Sequence, residues 1–94
     1  MKKVEDIKDI TGGYYLDEEE TLKVIGKKIS VDEVDNYVGK NVICRLHDIS
    51  GHGSHRFTLK GVNRFGELST YILSDDLDEY ELPNNVASLY ECLA

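Results

Sequence analysis

The sequence predicts an α+β domain, with short helices over residues 1–39 and a small curled antiparallel sheet or a five-stranded barrel over residues 40–94. Three observations predict this class. Apolar residues recur at three- and four-residue spacing in the first part and alternate after Lys40. Turn residues punctuate the second part at short intervals. A length of 94 residues suits one domain with one modest core.

The helical part has three segments. Val4, Ile7 and Ile10 share one face of a segment running from Lys2, stopped by Gly12-Gly13. Asp17 is placed to cap a second helix, with Glu20 three residues on and the acids of the first turn complementing the helix dipole. Leu22, Ile25 and Ile29 form its apolar stripe, Lys23, Lys27 and Lys28 lie towards its other pole, and Gly26 shortens it. A hairpin joining residues 14–16 to 22–25 is the competing arrangement. Ser30 and Glu33 make an S-x-x-E capping box ahead of Val31, Val34 and Val38, and Gly39 stands at the left-handed C-terminal position.

The sheet part begins where the period changes. Val42, Cys44 and Leu46 alternate with Ile43, Arg45 and His47, giving a strand with one apolar and one mixed face. Residues 50–54, with Gly51 and Gly53, form a loop. Phe57, Leu59 and Gly61 alternate with Arg56, Thr58 and Lys60, Asn63–Gly66 is a turn, and Leu68–Leu73 is a third strand. Asp75–Glu81 is an exposed bend leading to a short edge strand. Pro83 and two asparagines then turn the chain into Val86–Leu93, a last strand or short helix.

The run from Gly39 to Asp75, G-K-N-V-I-C-R-L-H-D followed by F-T-L-K-G-V-N-R-F-G-E-L-S-T-Y-I-L-S-D, resembles the strand pattern of Sm-like and SH3-like barrels. The resemblance implies a small barrel fold. Where an Sm-like chain would carry an arginine–glycine pair for RNA, this one has Asp75-Asp76-Leu77-Asp78-Glu79, so no activity is implied.

Composition removes several function classes. Eleven Lys and Arg against 18 Asp and Glu leave a formal charge of -7, which excludes a bulk-electrostatic nucleic-acid binder. No apolar run approaches the ~20 residues of a membrane span, and Met1-Lys2-Lys3 leads into Val4-Glu5-Asp6 rather than into an apolar leader. The expected setting is therefore cytoplasmic, with Cys44 and Cys92 as reduced core-filling thiols. Were their segments neighbouring strands, the two thiols would come close.

Charge is unevenly spread. Residues 40–64 hold five bases, Lys40, Arg45, Arg56, Lys60 and Arg64, against the single acid Asp48. Alternation puts Arg45, His47, Arg56 and Lys60 on one sheet face, which with Arg64 makes the alternative nucleic-acid face of a small barrel binding single strands. Direct nucleic-acid binding ranks second because exposed aromatics for base stacking are missing from that window.

The acids gather in Asp17-Glu18-Glu19-Glu20, in Asp75, Asp76, Asp78, Glu79 and Glu81 around Tyr80, and in Asp32, Glu33 and Asp35. Crowded like charges repel unless a partner compensates them. The leading expectation is a non-catalytic protein that binds a basic partner through the first two groups, for example the nucleic-acid channel of a host enzyme, with carboxylates standing in for phosphates. In size and composition the chain resembles nucleic-acid-mimicking inhibitors of phages and mobile elements. An open sheet edge and a tyrosine-rich surface also allow a homodimer.

Sites for chemistry are weak. His47, His52 and His55 lie within nine residues beside Cys44 and Asp48, but H-x4-H-x2-H across a glycine loop matches no structural zinc module. Asp76, Asp78 and Tyr80 start like a calcium loop, yet its glycine would be Glu81 and its last acid Ala87. Cys44 and His47 point to opposite faces of one strand, Ser54 has no nucleophile elbow, and 18 acids single out no catalytic pair. No cofactor or catalytic residue is expected, and a metal-binding protein using His47, His52 and His55 of this His-rich loop is the third alternative.

Overall fold

A computed structural model describes residues 2–3, 13–47 and 53–93. Among the described residues eight strands form one sheet: β1 (Lys2–Lys3), β2 (Tyr14–Leu16), β3 (Ile25–Ile29), β4 (Asn41–Leu46), β5 (Ser54–Phe65), β6 (Leu68–Ser74), β7 (Glu79–Pro83) and β8 (Ala87–Cys92). Their order is β1-β7-β6-β5-β4-β8-β3, with β2 added on β5. Every pairing is antiparallel except β1 with β7. The end strands β1 and β3 do not pair with each other, so the sheet is open and not a closed five-stranded barrel. One α-helix, α1 (Glu18–Val24), and one 3₁₀ turn (Val34–Tyr37) complete the described elements. None of the described helices is long and apolar enough to cross a membrane.

The twelve-residue β5 organises the sheet. Its first half lies between β2 and β4, and its second half pairs with β6 after a register shift between Leu59 and Gly61. Such a bulge bends a strand and lets one chain serve two parts of a sheet. Alternation then works as expected on one face: Val42, Cys44, Phe57, Leu59, Leu73 and Leu89 join Tyr71, Tyr80 and Leu82 in the core. Burying each such side chain contributes about 1.5–3 kcal/mol.

The helical expectation for residues 1–39 is largely corrected. Lys2–Lys3 is a strand, and the rest of the expected first helix, residues 4–12, lies outside the described residues. Asp17 and Glu20 do open a helix, through a complete capping box. Its expected stripe does not form, because α1 buries Thr21 while Leu22 is 65% exposed. The chain leaves the helix at Val24, and Ile25–Ile29 becomes β3 against β8, which carries Ile29 into the core. Gly26 fits there because a Cβ would meet that of Glu91 at 2.9 Å. Residues 14–16 are a strand, but they pair with β5 and not with 22–25.

The Ser30–Glu33 box likewise gives a turn and the 3₁₀ turn in place of an α-helix. Ser30 Oγ donates to Glu33 Oε1, and Lys27 Nζ reaches Glu33 Oε2 at 3.2 Å, so the carboxylate faces side chains. The turn stops early because β5 captures the chain: Gly39 N donates to Leu59 O, and Leu59 N donates to Lys40 O. Gly39 has the positive φ expected of it, +89°. In the sheet part, β5 runs through the expected turn at residues 63–65, and the reversal falls on Gly66 and Glu67.

Candidate functional site

The outer face of the sheet carries the features that suit binding. Register pairs Tyr14 with Arg56 and Leu16 with Ser54 across β2–β5, and Ile43 with Arg56 across β4–β5. These residues therefore share the face opposite the main core. The face is not simply mixed, as alternation suggested: Ile43 is fully buried and Leu16 nearly so. Helix α1 covers this part. Thr21 shares a 2.8 Å hydrogen bond with Ser54, and Arg45 Nη2 donates to both carboxylate oxygens of Glu18 at 2.9 Å.

Beside α1 the face stays open as two adjoining hollows that share Tyr14 and Arg56. One, of about 330 Å³, is bounded by Thr58, Asn41, Asp75, Asp76 and Leu77. The other, of about 450 Å³, is bounded by Leu16, Glu20, Lys23 and Val24. The Arg56 guanidinium lies 4.8 Å from the centroid of the Tyr14 ring, a cation–π contact that holds both side chains.

The turn between β6 and β7 is built around one carboxylate. Asp75 Oδ1 accepts from the backbone N–H of Leu77 (2.8 Å) and Asp78 (2.7 Å). Oδ2 accepts from Gly13 N at 2.9 Å and from the Tyr80 hydroxyl at 3.4 Å. These donors, Gly13 foremost, favour the ionised form and hold the Asp75 carboxyl below the usual carboxylate range. Gly13 must be a glycine: its φ is +79°, and a Cβ would stand 2.7 Å from the Phe57 ring. With the turn fixed, Leu77 projects at 89% exposure between Asp76 and Asp78.

The predicted acids separate into two kinds. Asp17 and Glu20 cap α1 reciprocally, Glu18 holds Arg45, and Glu19 lies 3.7 Å from Lys23. Asp75 is committed to its turn. Asp76 and Glu79 are exposed, and Asp78 and Glu81 are half-buried. Tyr80 leaves the docking set, because its ring is 2% exposed and packs on Phe57 at 5.5 Å. The shared hollows do bring the two stretches to one face: Glu20 borders one side of the Tyr14–Arg56 pair and Asp75–Asp76 the other.

The predicted bases are less united. Arg45 and Arg56 share the expected face, but Arg45 is neutralised by Glu18. Arg64 is held at the far end of β5 by Asp35 Oδ2 and Val31 O, each at 2.9 Å, while Lys60 is exposed. His47 is occupied on both ring nitrogens, by Asn85 O at 3.2 Å and Ser88 Oγ at 2.8 Å. His55 lies edge-on to Tyr15, and His52, Asp48 and the 50–52 part of the expected loop fall outside the described residues. Among the described residues no three His, Cys, Asp or Glu side chains gather as a metal site.

Cys44 and Cys92 are unbridged, in adjacent strands, but Cys44 stands opposite Leu89 and so three residues out of register with Cys92. Burial pushes the Cys44 thiol up to about 12, which leaves it a core group rather than a nucleophile. One cluster had no sequence signal. The Tyr37 hydroxyl donates to Glu91 Oε2 at 2.6 Å and Lys27 N donates to Oε1 at 3.1 Å, joining residues 54 and 64 positions apart. The shared hydrogen bond raises the Tyr37 hydroxyl and lowers the Glu91 carboxyl.

No protein-family model matches the chain, and comparisons with curated proteins and with solved structures return no match.

Proposed function

We propose that the protein is a non-catalytic binding domain that docks on a basic protein surface through the β6–β7 turn and the adjoining Tyr14 face. One observation carries this reading: Leu77 is 89% exposed on a turn fixed by Asp75, flanked by Asp76 and Asp78, and borders the same hollow as the half-exposed Tyr14. A large apolar side chain held in water amid acids suits a contact whose centre is apolar and whose rim is charged. Asp76 and Glu79 provide the charge, and a rigid turn lowers the ordering cost of association. The acids of residues 17–20 contribute field at the margin, since their side chains already serve α1.

The test is affinity capture from the source cells with wild-type protein, Leu77→Ala, and Asp76→Lys combined with Glu79→Lys. The expected partner is basic at its contact surface and dissociates as salt rises. Both variants should lose it by about tenfold or more, the scale of one interface hot spot. A partner retained equally by all three proteins would overturn the reading.

A further inference from the structure

The chain contains three arginines, and two of them hold a carboxylate: Arg45 takes Glu18 and Arg64 takes Asp35. Arg56 has no such partner among the described residues, although the chain has seven more acids than bases. It is also the arginine set between two strands, opposite Tyr14 on one side and Ile43 on the other. Arg56 is half-buried as a residue, its guanidinium rests over the Tyr14 ring, and the side chain lines both hollows. A planar fork of N–H donors in a partly desolvated, oriented state matches an oxyanion, and above all a planar carboxylate, in bidentate contact.

The surroundings select within that class. Thr58 and Asn41, joined by a 3.1 Å hydrogen bond, place a hydroxyl and an amide in one hollow, and Lys23 adds a second cation to the other. Of the carboxylates lining these hollows, Asp75 is saturated by backbone donors and Glu20 is engaged by Asp17 N, so neither serves Arg56. Asp76 places an acidic side chain at the rim, which penalises a dianion more than a monoanion. We propose that Arg56, backed by Tyr14, is a subsite for one carboxylate group of a bound peptide. The subsite shares Tyr14 and one hollow with the docking face proposed above, but it requires no basic partner, so the free chain tests it separately.

The whole ¹⁵N-labelled chain is titrated at fixed ionic strength with three probes: N-acetylglutamic acid amide for a side-chain carboxylate, N-acetylalanine for a chain terminus, and inorganic phosphate. The Arg Nε–H and backbone signals report binding. The expected result is a saturable shift at Arg56, Tyr14 and Thr58 with at least one carboxylate probe, while Arg45 and Arg64 stay still. Which probe saturates first assigns the source. Arg56→Gln should reduce the response by about tenfold, and Arg56→Lys, which keeps charge and loses the fork, should reduce it less. Equal, non-saturating shifts at all three arginines, tighter binding of phosphate than of either carboxylate, or an undiminished response in both variants would overturn the subsite.

Discussion

The two acidic stretches, residues 17–20 and 75–81, look alike as strings of charge and do different work in the fold. In the first, each side chain has a partner: two cap α1, one grips Arg45 and one faces Lys23. In the second, Asp75 collects the backbone donors of the turn, and Asp76 and Glu79 are exposed. The contrast follows from local backbone. A helix start exposes N–H groups that carboxylates satisfy. A four-residue turn offers its inward N–H groups to one side chain, which leaves Asp76 and Glu79 exposed. Acidic density alone therefore does not define a surface.

The sharpest way to break this contrast is Asp75→Ala. It removes an acceptor shared by Gly13 N, Leu77 N, Asp78 N and the Tyr80 hydroxyl, and so unpins the start of β2 as well as the turn. The expected loss is about 2 kcal/mol, less than four acceptances would total in a dry interior, because water reaches the turn. Urea denaturation measures it. The Asp75 carboxyl is lowered in the folded state, so its contribution is complete above the ordinary carboxylate value and is lost as pH falls through the folded value. Asp75→Asn should accordingly flatten the acid arm of the stability profile below about pH 4.

Next comes Glu18→Ala, which leaves the half-buried Arg45 without its carboxylate and detaches α1 from the outer face. About 1.5 kcal/mol is expected, with a coupling to Arg45→Met in a double-mutant cycle. Were the coupling negligible, residues 17–20 would be as free to serve a partner as Asp76 is.

What the sequence displayed and what it hid divide along the range of the interaction. The capping box at Asp17 and Glu20 was legible because its partners lie three residues apart. The alternation in Val42, Cys44, Phe57 and Leu59 was legible because a strand's period is local. The fate of residues 25–29 was not: Ile25, Gly26 and Ile29 fit a helix end as well as a strand, and only β8, some sixty positions on, decides between them. The Ser30–Glu33 signal failed for a related reason, since Lys27 and β5 compete for the groups that would extend a helix. Of the candidate site, the acidic turn and Arg56 were visible. Burial of Tyr80 and the stacking of Arg56 on Tyr14 depend on strand register, which short-range patterns leave open.

A smaller effect is expected from Asp17→Ala, which strips the cap accepted from Glu20 N and should lower stability by about 1 kcal/mol in thermal or urea unfolding. Its loss tests whether α1, only seven residues long, depends on its cap or on packing through Thr21 and Arg45.

The smallest change in stability belongs to Asp76→Lys, and its sign carries the argument. Asp76 is exposed and sits in sequence between Asp75 and Asp78–Glu79, so its charge is repelled by its neighbours. Replacing it with a cation removes that repulsion and should leave stability within about 0.5 kcal/mol of wild type or slightly higher. Any removal of charge from residues 17, 18 or 20 should lower it. An acid whose loss costs the fold nothing has no structural account of its own, and contact with a partner is the account proposed for this one. Unfolding of Asp76→Lys alone, at low and at high salt, separates the cases. A neutral or favourable change that fades with salt keeps the two stretches distinct. A loss above about 1 kcal/mol would mean that Asp76, like Asp17, is held by the fold.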